Sequence, residues 1–164
     1  MSFAIRPLDP AEPELYREIR LEALRLHPDA FGAAFEDEAA RPLTFFEQRL
    51  SGNVIFGGFR GAELLGTAGF MPETGVKREH KAHLWGMYVR APARGTGLAG
   101  ELVQAVLNHA KERVVLIQLS VVIGNAGARR LYERFGFTQY GIEERSLKVA
   151  GRYLDEVLMA RRFD

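Results

Sequence analysis

The sequence predicts a mixed α+β fold: a central, mostly antiparallel twisted sheet of about seven strands, with helices on both faces. Three observations predict it. Strand-length apolar runs alternate with helical stripes only in the middle of the chain, as a parallel unit requires. Both flanks read instead as hairpins. No internal repeat, low-complexity tract or linker divides the 164 residues, so 1–164 is expected to form a single domain. A chain of that length buries roughly 70% of the surface exposed when unfolded, enough for one proper core.

Each element has its own signal. Ser2 to Arg6 reads as a first strand closed by Pro7. Pro10 and Pro13 stand at a helix start, where a missing N–H is harmless. Leu15, Ile19, Ala23 and Leu26 then mark an apolar stripe, and His27-Pro28-Asp29 ends the helix. Residues 30–41 read as irregular; they mix aromatics with acids and suit a pocket wall or lid. Leu43 to Leu50 is a short helix. Val54 to Arg60 and Leu64 to Phe70 are strands joined at Gly61-Ala62, a hairpin by spacing. Residues 72–81 are polar and basic and read as a loop. Leu84 to Val89 is a buried strand stopped by Pro92. A helix follows from Leu98 to about Arg113, with Leu98, Leu102 and Val106 four apart. Val114 to Val121 is a β-branched strand. The next helix starts near Asn125, with Ala128, Leu131 and Phe135 on one face. Phe137 to Arg145 and Tyr153 to Arg161 close the chain around Val149-Ala150-Gly151.

Composition narrows the function classes. Apolar residues are 47% and charged residues 26%, an ordinary globular balance. With 22 basic and 21 acidic residues, the net charge of +1 argues against a nucleic-acid or membrane surface. Cysteine is absent, which excludes disulfides, thiol nucleophiles and thiolate metal sites. His80, His83 and Glu79 are spaced as often happens by chance, so no metal is expected. The amino-terminal residues lack the apolar stretch of a signal peptide, and no segment approaches the ~20 apolar residues of a membrane span. The expectation is a soluble cytoplasmic protein.

The chemistry concentrates where the central strand turns into its helix, at Arg94-Gly95-Thr96-Gly97-Leu98-Ala99. Glycines let the backbone bend tightly and leave its N–H groups uncovered. A helix start adds free donors and a partial positive charge. Together they seat phosphate groups. A dinucleotide site is another reading, because Gly95, Gly97 and Gly100 supply three glycines. The turn lies mid-chain, however, and Glu112 does not place an acid at the end of the next strand. A second block stands downstream, Asn125-Ala126-Gly127-Ala128 through Leu131-Tyr132 to Gly136-Phe137.

The two blocks, at this separation and on these elements, make the chain resemble the GNAT-family N-acetyltransferases. The first is similar to that family's acetyl-CoA signature, Arg or Gln, two residues, Gly, one residue, Gly or Ala. The second matches its Asn, Ala, Leu-Tyr and Gly-Phe pattern. The resemblance is strong over about residues 82–145 and rests on element order elsewhere. It implies a GNAT-like sheet and acetyl transfer from acetyl-CoA to a primary amine by direct attack. The acceptor would be a small molecule or a protein or peptide amine. No metal, nucleic acid or membrane is implied, and a homodimer is left open.

Roles follow from the resemblance. Main-chain amides of Gly95, Thr96, Gly97, Leu98 and Ala99 would meet the CoA pyrophosphate, with charge from Arg94 and a hydroxyl from Thr96. Val89 would pair with pantetheine as another strand does, and the Met87 N–H would face the thioester carbonyl. Asn125 is a preferred helix cap in any case, and the resemblance adds a contact to the cofactor. Arg129 and Arg130 read as solvated surface, with a CoA phosphate contact as the other reading. Tyr132 would donate to the departing sulfur. Reference pKa values of about 10 for phenol and 8.5 for thiol make full transfer uphill by ~2 kcal/mol, so a hydrogen bond is the expectation.

A base is harder to find. An alkyl amine of pKa about 10.4 costs ~4.6 kcal/mol to deprotonate at pH 7, and an α-amine near 8 only ~1.4 kcal/mol. Many family members carry a glutamate on the central strand, where this chain has His83, Trp85 and Gly86. The candidates are His83, Glu36, Glu38 or a water chain. A non-catalytic acyl-CoA-binding or sensing module is the alternative. Phe31, Phe35, Trp85 and the acidic 36–38 stretch suggest a pocket favouring a cationic, partly apolar amine.

Overall fold

A computed structural model describes residues 2–164. The chain runs β1 (Ala4–Pro7), α1 (Pro13–Leu26), α2 (Phe35–Ala39), α3 (Leu43–Gly52), β2 (Val54–Arg60), β3 (Glu63–Pro72), β4 (Lys81–Val89), α4 (Leu98–Ala110), β5 (Leu116–Val122), α5 (Ala126–Arg134), β6 (Thr138–Val149) and β7 (Arg152–Arg162). Short 3-10 turns cover Pro28–Ala30 and Ala91–Ala93. The strands form one sheet of seven in the order β1-β2-β3-β4-β5-β7-β6. Every neighbouring pair is antiparallel except β4 and β5. That is the expected mixed, mostly antiparallel sheet, with the parallel unit in the middle.

Helices cover both faces. On one, Tyr16, Ile19 and Ala23 of α1 and Phe46 and Leu50 of α3 pack on Ile55, Phe59, Leu64 and Tyr88. On the other, Leu98, Leu102 and Val106 of α4 are fully buried against Phe56, Leu65, Leu84, Ile117 and Met159. The four-residue spacing read from the sequence is therefore the core stripe of α4. Each such side chain contributes about 1.5–3 kcal/mol on burial. Helix α5 lies on the same face, with Tyr132 buried and Ala128, Leu131 and Phe135 packed beside it.

Several boundaries differ from the sequence reading. Pro7 belongs to β1, where it is opposite Phe56. Because β1 is an edge strand, a missing ladder donor is tolerated there. Leu26 is half exposed, and the buried stripe of α1 takes in Arg20 instead. Residues 35–39, expected to be irregular, form α2. Strand β4 starts at Lys81, because its first three residues find partners on β5. Helix α4 stops at Ala110, and β5 begins at Leu116. Strand β6 continues past Arg145 to Val149. The register shifts between Glu143 and Leu147, and Arg145 takes φ 52° with its N–H on Asp155 Oδ1 at 2.8 Å. A bulge thus bends the strand without ending it.

Candidate functional site

Strands β4 and β5 pair only over Lys81–His83 opposite Leu116–Gln118. Beyond His83 they part. The divergence, which the family resemblance implies although the sequence itself bears no direct sign of it, opens the middle of the sheet. On its other side β4 carries a bulge: Tyr88 is opposite Thr67, but Trp85 is already opposite Gly69. Gly86 absorbs the irregularity with φ 65°, a conformation other residues resist, and its carbonyl accepts from Thr67 Oγ1 at 3.1 Å. The bulge turns the Gly86–Met87 backbone out of the regular ladder.

The gap is a cavity of about 360 Å³. Met87, Asn125, Tyr132 and His83 all line it, so four residues singled out in the sequence meet in one place. The Tyr132 ring stands edge-on to Phe137 at 5.8 Å, and its hydroxyl has no hydrogen-bond partner among the described residues. Burial pushes the phenol well above its ordinary pKa, so the hydroxyl keeps its proton. Asn125 caps α5, its Oδ1 accepting from the Ala128 N–H at 3.2 Å.

The glycine turn stands at the start of α4. Gly95 and Gly97 have φ 75° and 88°, and Gly97 caps the helix with no side chain on the first-turn amides. Leu98 is fully buried, so the exposed backbone of the turn is that of Gly95 and Gly97. Two side chains are turned elsewhere. Thr96 Oγ1 donates to the Ala93 carbonyl. Arg94 donates through Nε to the Val89 carbonyl at 3.1 Å and lies 3.1 Å from His27 Nε2. Arg129 bonds Gln139 and pairs with Glu133 along the surface.

The base candidates separate. His83 lines the cavity with Nε2 3.1 Å from Glu73 Oε2. Glu36 is exposed and lines a neighbouring cavity of about 490 Å³, which shares Phe31 and Gly32 with the first. Glu38 is no base. It is buried, with Arg20 Nε and Nη2 and Arg49 Nη1 all at 3.0 Å. Burial alone would raise its carboxyl, but the hydrogen bonds from Arg20 and Arg49 outweigh that and hold it below the usual range. Of the residues read as a pocket, Phe31 and Trp85 line the first cavity and Phe31, Phe35 and Glu36 the second, while Glu38 is turned into the arginine pair. One carboxylate is shared by two guanidiniums, and the charged group reaching the cavity from this cluster is Arg20.

Sequence reasoning missed Glu156. It sits on β7, lines the cavity, and accepts from Ser146 Oγ. No spacing pointed to it, because β7 reaches the site only by inserting between β5 and β6. Among the described residues no group of three or more His, Asp or Glu is placed to hold a metal ion.

The comparisons agree with this fold. An acetyltransferase of the GNAT family from Streptococcus pneumoniae superposes with a TM-score of 0.88 at 19% identity, covering 98% of this chain and 99% of its own. The structure of yncA from Salmonella typhimurium with its cofactor acetyl-CoA gives 0.82 at 22% identity, covering 100% and 95%. A ribosomal-protein-alanine N-acetyltransferase from Brucella melitensis gives 0.79 at 22% identity, covering 97% and 99%. At such identities the likeness is one of fold. No curated protein matches the chain. The family model for the acetyltransferase (GNAT) family matches residues 15–137. A sequence match over most of the chain, on a fold shared from end to end, makes this protein a member of the GNAT acetyltransferase family.

Proposed function

We propose that this protein transfers an acetyl group from acetyl-CoA to a primary amine by direct attack. The observation that carries the reading is the parting of β4 from β5, which brings Met87, Tyr132 and Glu156 around one cavity. The residues present fit acetyl-CoA. Amides of Gly95 to Ala99 offer a diphosphate seat. Val89 has main-chain groups for pantetheine once Arg94 releases its carbonyl, and that release frees the guanidinium for phosphate. The yncA structure, which holds acetyl-CoA, supports the choice of donor.

The chain's own groups then have distinct tasks. The Met87 N–H donates to the acetyl oxygen as negative charge grows there. The Glu156 carboxylate takes the proton of the attacking amine, and His83, backed by Glu73, is the second proton-accepting group in the cavity. Tyr132 donates a hydrogen bond to the leaving sulfur. Because burial raises its phenol, the tyrosine stabilises a thiolate rather than fully protonating it. The alternative of a non-catalytic acyl-CoA-binding module was motivated by the missing strand acid. Glu156 supplies a carboxylate from another strand, which removes that motive.

The test is thiol release from acetyl-CoA in the presence of amines, peptides and polyamines, beside calorimetry of CoA binding. Turnover with an amine is the expected result. Tight CoA binding with no turnover on any acceptor would return the protein to the binding-module class.

A further inference from the structure

The acceptor side of the cavity holds a guanidinium that its own fold leaves partly unpaired. Arg20 is 5% exposed. Its Nε and Nη2 are both taken by Glu38 at 3.0 Å, while Nη1 has no hydrogen-bond partner among the described residues. Nη1 lies against the β4 bulge, 3.9 Å from where a Cβ on Gly86 would stand, and Arg20 and Gly86 line the same cavity. The guanidinium is fixed there. It stacks on the Trp85 ring at 4.5 Å and the Phe31 ring at 5.7 Å. Its charge is not cancelled either, since Glu38 is shared with Arg49 and the three together keep one net positive charge.

A charged donor held rigid at a cavity wall, with no acceptor of its own, is a recognition element for an anion. We propose that Arg20 Nη1 binds a carboxylate of the acceptor, so that the amine acetylated here carries an acid group beside it, as a free amino acid does. The proposal rests on the acetyl-transfer reading above and specifies its acceptor. A carboxylate on Nη1 lies next to Gly86, one residue before the Met87 amide. An amine on the adjacent carbon is then delivered to the bulge where the acetyl group is to sit. Glu156, in the same cavity, supplies the opposite charge for the ammonium group. A zwitterion meets one partner of each sign, whereas a polyamine or an amidated amine leaves Arg20 unpaired.

The experiment compares the twenty free amino acids, their carboxamides, the corresponding decarboxylated amines and short peptides as acceptors, reading thiol release from acetyl-CoA. The best acceptor is expected to be a free amino acid, with kcat/KM about 10- to 100-fold above its own amide and amine, the worth of a charged hydrogen bond. An amide, a decarboxylated amine or a peptide amino terminus that works as well as the free acid overturns the proposal but leaves acetyl transfer standing. No release from any member of the set overturns the proposal, and acetyl transfer falls with it only if peptides and polyamines also give none. In Arg20→Gln, checked for folding by circular dichroism, the preference for acid over amide is expected to fall toward one. If kcat drops equally for acid and amide with the ratio intact, Arg20 serves the acetyl oxygen and the proposal fails. Should the variant not fold, the ratio in the unmodified protein still decides.

Discussion

Two side chains in the cavity carry separable predictions. Tyr132 is buried with an unpartnered hydroxyl, so Tyr132→Phe removes one donor and almost no volume. It is expected to lower kcat about 10²-fold with little change in CoA affinity, measured by steady-state thiol release and calorimetry. Full activity in that variant would leave the hydroxyl without a role. Glu156→Gln keeps the shape and removes the charge. We expect kcat/KM at pH 7 to fall about 10²- to 10⁴-fold and to recover partly at higher pH, where free amine becomes abundant. If His83→Gln shows that loss and recovery instead, the proton goes to the imidazole. These two residues also differ in how far they could be read beforehand. Tyr132 lies in a local block with its cap and its Gly-Phe terminus, so the chain alone singled it out as a candidate. Glu156 meets Tyr132 only through strand pairing, and Glu38 looked available until two distant arginines closed on it.

At the scale of the element, the strand, turn and helix around Gly95 and Gly97 were legible because their causes are local: a proline stop, left-handed turn residues and a four-residue apolar repeat. Gly97 holds φ 88° at the cap. Gly97→Val there costs about 1–2 kcal/mol of backbone strain and is expected to raise the CoA Kd roughly tenfold by moving the first-turn amides. Unchanged affinity would place the diphosphate elsewhere. The packing of α4 makes a separate demand. A Cβ on Gly66 would meet Leu102 Cδ1 at 2.9 Å and the Tyr88 carbonyl at 3.0 Å. Gly66→Ala is therefore expected to destabilise by about 1–3 kcal/mol, read as a lower urea midpoint at constant slope. A midpoint equal to the wild type would mean that α4 rides off the sheet at no cost. By contrast, α2 was not legible. Its five residues are too few for a period to show, and it is helical because Glu38 is anchored to Arg20 and Arg49.

For the whole molecule, three buried phenols set the alkaline limit. Burial raises Tyr16 and Tyr132, and burial with the Glu22 hydrogen bond pushes Tyr88 up to about 12. In the unfolded chain tyrosine titrates near 10. Between there and the folded values the unfolded state binds fewer protons, so stability, intact below about pH 10, declines as pH rises. The urea midpoint should fall between pH 9 and pH 11; a flat profile would put these hydroxyls in water. The sequence by itself determined the class of fold, the family, the glycine turn before α4 and the helix that carries Tyr132, because turns, caps and apolar periods are properties of neighbouring residues. Tertiary structure alone decided where β4 leaves β5, which acid faces the cavity, and that Arg20 rather than Glu38 presents its charge there. Those depend on which distant strands pair and which buried charges find partners, and such pairings have no spacing along the chain.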